Sequence, residues 1–237
     1  EDAWLARRVS SPKVSPDGRQ IVLLVTEPAY DDKEKAADLW VVPSDGSAPA
    51  RRLTSSRGTE SDVAWSEDGG RIVFATRREG DEVAQIYALD LVLGGEARRL
   101  TDAASGARSP LLSPDGRQLL YVSDIPDDPQ AAKHKYNARA YDGFPIRNWD
   151  HWRKPERPHL FVQPLDAAGA PVGASRDLLA GTQLVKSPGY AGRKTNSDDE
   201  LDPVWSRDGG QVVFVASTNQ DQAAFAFVNT QLYRVAA

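Results

Sequence analysis

The hexapeptide "SPDGRQ" occurs twice, at Ser15–Gln20 and Ser113–Gln118, and close variants stand at Ser66–Arg71 ("SEDGGR") and Ser206–Gln211 ("SRDGGQ"). No other feature of the sequence constrains the fold as tightly. Asp-Gly between two apolar runs is a strong hairpin signal. The prolines preset φ at an early turn position, the Asp side chain can bond back to nearby backbone, and Gly takes a positive φ without steric cost. Each turn leads into an apolar run: Ile21–Val25, Ile72–Thr76, Leu119–Ser123 and Val212–Ala216. No polar face alternates within these runs, which predicts strands buried on both faces. A short strand precedes the turn, as in Asp62–Trp65 and Asp202–Trp205.

The copies extend beyond the turn. An aromatic-bearing third strand follows at Leu39–Pro43, Ile86–Leu91, His159–Leu165 and Leu232–Ala236. "RRLT" then recurs at Arg51–Thr54 and Arg98–Thr101, and Arg176–Ala180 takes its place in the third copy. The unit is four strands, a to d. Asp17, Asp68, Asp115 and Asp208 stand 51, 47 and 93 residues apart, the last interval holding one repeat plus an insertion. A four-stranded unit at this period predicts an all-β fold, a β-propeller of four-stranded antiparallel blades with about four blades present. The blades are expected at residues 10–54, 62–101, 109–180 and 202–236, with an insertion at 124–158 in the third. No stretch shows a helical period, so a parallel α/β sheet is set aside. The fourth copy stops at its third strand, and Met is absent even at position 1. Both suggest part of a larger ring with upstream residues removed.

The bulk numbers exclude several classes. With 237 residues the chain can bury a large all-β core, and a net charge of −5 gives no general attraction to nucleic acid. There is no Cys, hence no disulfide framework or thiolate metal site. No apolar run approaches the roughly 18 residues of a membrane span.

Topology then separates two faces. The a–b and c–d turns of an antiparallel blade lie on one face, the b–c and d–a connections on the other. The long segments (27–38, 124–158, 181–201 and 218–231) are all b–c or d–a, and elaborated loops on a rigid scaffold are where binding resides. The richest is Lys133–Arg157, with five aromatics and seven Lys or Arg against three acids. Its aromatics either pin the loop to its blade or wall a ligand chamber. In the second reading Tyr141, Trp149 and Trp152 exclude water, while Asp142, Asp150 or Arg147 holds a charged end. Glu79 and Glu82, with Asp81, form a shorter acidic b–c loop that could receive a peptide α-amine. The three histidines, His134, His151 and His159, are read as loop or strand-edge residues. The acidic stretch Ser197–Asp202 lacks the alternation of a calcium loop and is read as solvated. No cofactor or metal is expected.

No G-x-S-x-G and no H-E-x-x-H occurs, so neither a nucleophile elbow nor a zincin site is present in this sequence. The repeated "VSPDGRQIVLLV…LWVV…RRLT" resembles the blades of two groups: the N-terminal propeller of prolyl-oligopeptidase-family serine peptidases, and TolB, the periplasmic Tol–Pal component. The segment "YDGFPIRNWDHWRKPERPHLFVQPL" is similar to the one at the same place in dipeptidyl peptidase V and acylaminoacyl-peptidase-like members. The peptidase resemblance implies a propeller that caps an α/β-hydrolase domain, admits small peptides and helps hold their N-terminus. It implies a periplasmic or secreted protein whose partners are a peptide substrate and the hydrolase domain. The catalytic Ser, Asp and His would lie in that domain, so this chain alone is expected to be inactive. A non-enzymatic TolB-like binding propeller and a free-standing scaffold propeller are the alternatives.

Overall fold

A computed structural model of the chain describes residues 6–27, 36–56, 58–126, 147–148, 151–152, 156–194 and 199–237. The first sheet comprises β1 (Arg8–Val14), β2 (Gln20–Glu27), β3 (Ala36–Pro43) and β4 (Arg51–Arg52), in that order. The second repeats it with β5 (Ser61–Trp65), β6 (Arg71–Thr76), β7 (Gln85–Asp90) and β8 (Arg98–Arg99). β9 (Arg108–Leu112) and β10 (Gln118–Pro126) start the third, and a small hairpin, β11 (Arg147–Asn148) and β12 (His151–Trp152), lies within its b–c connection. β13 (Glu156–Pro164) and β14 (Arg176–Asp177) complete the third sheet, in the order β14-β13-β10-β9. A one-turn helix α1 (Gln183–Lys186) and a hairpin, β15 (Arg193–Lys194) with β16 (Asp199–Glu200), precede the fourth copy. That copy has three strands, β17 (Val204–Trp205), β18 (Gln211–Ala216) and β19 (Gln231–Ala236).

The four a–b turns are one structure written four times. The serine hydroxyl donates to the Asp carboxylate two residues on, at 2.6, 2.5, 2.6 and 2.6 Å for Ser15, Ser66, Ser113 and Ser206. The same hydroxyl accepts the amide of the residue five further on, at 2.9 Å in every copy. Gly18, Gly69, Gly116 and Gly209 take φ of 73°, 70°, 67° and 69°, the left-handed region open to glycine. Glu67 and Arg207 replace the proline in two copies without altering this pattern, so the serine rather than the proline is the common element. The hydroxyl, and then a backbone amide, hold all four carboxyls below the usual Asp range. Their contribution to stability is present above the ordinary Asp pKa and is lost as pH falls through the depressed one.

Strand a carries a second recurrent device. Ser11, Asp62, Ser109 and Asp202 have φ of 51°, 53°, 51° and 44° and are the only non-glycine residues with positive φ among the described residues. From Ser10 to Lys13 strand β1 advances three residues while its partner advances two, from Leu24 to Val22. Ser61 to Ala64 does the same against β6. One extra residue on one strand is a β-bulge, which bends the strand and increases its twist.

The chain divides into two compact units, Glu1–Tyr121 with Gln163–Ala174, and Val122–Val162 with Ser175–Ala237. In the first, Val22, Leu39 and Val41 of the first sheet pack against Val63, Ile72, Phe74, Tyr87 and Leu89 of the second. Trp65 Nε1 donates to the Lys13 carbonyl at 2.9 Å across the same junction. The first three a–b turns lie side by side: a Cβ built on Gly69 would stand 4.0 Å from Pro16 Cδ, and one on Gly116 3.5 Å from Arg71 Nη2. Arg98 donates to the Ala168 carbonyl at 2.8 Å, which brings a c–d link to the same edge. The second unit buries Leu160, Leu179, Leu201, Val212 and Phe214, the last stacked on Tyr233 at 5.8 Å between centroids.

Burial on both faces holds for β6, where Ile72–Thr76 are all buried between the first sheet and β9. It does not hold for β18, where only Val212, Phe214 and Ala216 are buried, nor for β2, where only Val22 and Val25 are. The same apolar letters there meet a covering layer over part of their surface only. Phe74 is fully buried at the centre of the first unit. Replacing it with Ala should cost about 3–5 kcal/mol in urea denaturation, whereas Val92→Ala, at a 79% exposed turn position, should stay within about 0.5 kcal/mol.

Candidate functional site

The acidic b–c loop of the second sheet, residues 77–84, is held by the acid that carries no carboxylate to the surface. Asp81 accepts from the Arg78 amide at 3.1 Å and from the Tyr87 hydroxyl at 2.8 Å, and pairs with Arg99 at 3.2 Å. The Arg78 guanidinium lies over the Tyr87 ring at 4.8 Å. Burial, and then the Asp81 carboxylate, push the Tyr87 phenol above its ordinary pKa. Glu79 and Glu82 are exposed and make no hydrogen bond or ion pair among the described residues. Asp81 thus pins the loop from within, while Glu79 and Glu82 present two carboxylates to solvent.

Of the insertion residues singled out in the sequence, Tyr141, Asp142, Trp149 and Asp150 lie outside the described residues. Arg147 and Trp152 face each other across the β11–β12 hairpin, with the guanidinium carbon 5.5 Å from the indole centroid. Both are exposed, so the pair is an external cation–π contact. Glu79 and Glu82 belong to the first unit, Arg147 and Trp152 to the second.

The d–a connection after the third sheet is anchored. Arg157 donates to the Val185 and Ser187 carbonyls at 2.6 and 2.8 Å, and the buried Tyr190 hydroxyl donates to Pro158 O at 2.7 Å. Asp202, from the stretch read as solvated, receives Arg193 through two bonds of 2.6 and 2.9 Å. Among the described residues no group of three or more His, Cys, Asp or Glu is placed to hold a metal ion.

His159 is not a loop or strand-edge residue. It lies in β13, between β10 and β14, is buried, and its Nδ1 bonds Asp177 Oδ2 at 2.7 Å. Asp177 is fixed in turn by the Leu179 and Ala180 amides. Register explains the pair. Leu39, Ile86 and Leu160 each accept a strand-d amide, from Leu53, Leu100 and Leu178. The residue before each of them is polar and buried: Asp38, Gln85 and His159. Asp38 takes Arg52 at 2.5 Å, Gln85 takes the Thr101 hydroxyl at 2.7 Å, and His159 takes Asp177. A polar link from this position of strand c to strand d, or for Gln85 to Thr101 just past it, is thus written in three chemistries. Its repetition marks it as structural rather than catalytic.

Glu60 was missed. It ends the first d–a connection and is fully buried, with Ser56 Oγ donating to Oε1 at 2.7 Å. Burial, opposed by Ser56 and reinforced by the nearby Asp38 charge, pushes its carboxyl up to about 7. The sequence offers no signal for this, since "GTESD" has the composition of an exposed loop.

Sheets of up to four antiparallel strands, repeated with the same turn, bulge and c–d link, define β-propeller blades, here a partial propeller. Residues 5–142 match the family described as the TolB beta propeller domain, and the chain belongs to that family. It is 31% identical to dipeptidyl-peptidase 5 of Porphyromonas endodontalis over 95% of this chain and 32% of the relative. It is 28% identical to the uncharacterised peptidase YuxL of Bacillus subtilis over 91% of this chain and 31% of the relative. The chain thus spans about a third of the length of these curated relatives. Among solved structures, the acylaminoacyl peptidase of Pyrococcus horikoshii superposes with a TM-score of 0.59 at 17% identity, over 91% of this chain and 28% of that one. At that identity the likeness speaks for the fold. No helix among the described residues is long and apolar enough to cross a membrane.

The loop assigns different roles to its acids. Asp81→Ala strands the Tyr87 hydroxyl and one side of Arg99, and should cost about 1–3 kcal/mol. Glu79→Gln and Glu82→Gln should each leave stability within about 0.5 kcal/mol. Urea midpoints of the three variants check both statements.

Proposed function

We propose that this chain is the N-terminal propeller portion of a periplasmic or secreted serine exopeptidase of the dipeptidyl- or acylaminoacyl-peptidase type. In this reading it gates access of small peptides to an α/β-hydrolase domain and helps bind the peptide N-terminus. The observation that carries the reading is 31% identity to a dipeptidyl-peptidase 5 along 95% of this chain. The presentation of Glu79 and Glu82 on a loop pinned through Asp81 supports it, because a peptide amine is cationic near neutral pH and its partner should be a carboxylate. Asp142 and Asp150 are the further candidates for that role. Arg147 suits a substrate carboxylate, and Tyr141, Trp149 and Trp152 would exclude water and strengthen charge pairing. The nucleophile and its His and Asp belong to the hydrolase domain, so this segment alone should not turn over chromogenic dipeptidyl substrates.

A carboxylate that holds the amine contributes about 2–4 kcal/mol to transition-state binding, or roughly 30- to 1000-fold in kcat/KM. In the full-length enzyme, Glu79→Gln, Glu82→Gln, Asp142→Asn or Asp150→Asn should show that loss on a free peptide and none on its N-acylated counterpart. Wild-type kcat/KM for all four on the free peptide would refute the assignment of the amine site to these loops. The match to the TolB beta propeller domain favours a second reading, a non-enzymatic binding propeller. Under it the full-length protein would hydrolyse neither substrate.

A further inference from the structure

Two carboxyl groups are buried where the first sheet meets the second. Glu60 is 0% exposed and Asp38 1%. The Glu60 amide donates to Ala37 O at 3.3 Å, and Thr59 bridges Ala37 in parallel, so the d–a connection lies along the start of β3. Each carboxyl has one satisfied oxygen, Glu60 Oε1 by Ser56 and Asp38 Oδ2 by Arg52. Glu60 Oε2 and Asp38 Oδ1 are buried with no hydrogen-bond partner among the described residues. Among the described residues only Arg52 pairs with either acid, and two ionised carboxylates would then leave one net negative charge and two unmet acceptors in the core, a costly arrangement.

The next junction shows that the fold does not need these acids. Ala107 donates to Ala84 O at 2.8 Å in the place of Glu60, and it too is buried. Gln85, which is neutral, occupies the place of Asp38. The same backbone is built there without an ionisable group.

We propose that the buried Glu60 carboxyl holds a proton in the folded protein while Asp38 stays paired with Arg52, and that Glu60 is a pH-operated latch between the first and second blades. One proton on Glu60 removes the surplus charge and with it the cost of an ionised, unmet acceptor. The surroundings suit this role. Thr54, whose hydroxyl accepts the Leu39 amide at 2.9 Å, interacts with both carboxyls. Glu27, itself paired with Arg7 at 3.1 Å, adds negative potential at Asp38. From the second sheet the connection is met by Thr76 and the Arg77 carbonyl, which crowd Gly58, and Arg78 is turned onto Tyr87. No basic side chain of the second sheet pairs with either acid among the described residues.

The direction of the pH effect follows from the raised carboxyls. Burial raises both, and Glu60 reaches about 7 against an ordinary 4.5. The folded junction therefore holds a proton that the opened one releases, so the latch is fully closed below about 4.5 and loosens as pH rises through about 7. Hydrogen exchange of the full-length protein, corrected for intrinsic rates, reads this opening in peptides covering 37–41 and 53–60. Their protection should fall about tenfold between pH 6 and 8.5, while that of β6 stays constant. Glu60→Gln, and Glu60→Ala, which copies the alanine at position 107, should both flatten the dependence whatever their absolute stability. Constant wild-type protection, or an unchanged tenfold fall in both variants, overturns the proposal. Protection that follows added Ca²⁺ at fixed pH instead of pH itself overturns it as well, by making the acids a cation site.

Discussion

The hydrogen bond from a serine hydroxyl to the carboxylate two residues on sets the phase of each blade. Because the same hydroxyl also accepts the amide five residues ahead, the turn is closed from inside a six-residue segment. Little chain entropy is lost in closing so short a loop. Once the turn is fixed, the first residue of strand b is fixed, and with it which side chains enter the core. The b–c pairings then run unbroken, from Gln20↔Pro43 to Glu27↔Ala36 and from Arg71↔Asp90 to Thr76↔Gln85. A slip of one residue at the turn would send Phe74 to the opposite face.

This locality explains what the sequence made legible. The turns, strands b and c and the period are each specified within about ten residues, and they stand where the repeat placed them. The part played by serine is not legible in the sequence, because Asp-Gly alone suffices to signal a hairpin. What could not be read depended on register between strands far apart in sequence. Asp81 resembles Glu79 and Glu82 as a letter, yet only it comes beneath Tyr87 and Arg99. His159 looked like part of a basic aromatic tract until β14 brought Asp177 beside it. Glu60 sits among small polar residues, and it is placed against the start of β3, far earlier in the sequence, by its amide bond to Ala37. In the insertion, Arg147 and Trp152 are both candidates to meet a ligand, and their mutual contact across the hairpin is a further feature that only register reveals.

The c–d link shows how a repeat diverges without losing its geometry. Asp38 with Arg52 and His159 with Asp177 place the anion on opposite strands, while Gln85 with Thr101 dispenses with formal charge. In each case a buried polar group on strand c finds its partner on strand d of the same blade or, for Gln85, two residues beyond it. Burial makes an unpaired member expensive, so the two positions are constrained jointly rather than singly.

That closure within the blade has a consequence for how such chains can be rearranged. A blade carries its own turn, bulge and c–d link, so duplication or transposition of a whole repeat keeps all three intact. The joints do not travel so freely. Trp65 reaches the Lys13 carbonyl, and Glu60 lies beside Asp38, only because the second repeat follows the first. The order of the blades is thus written in the seams between them, and a shuffled descendant would have to reinvent its seams while inheriting its blades unchanged.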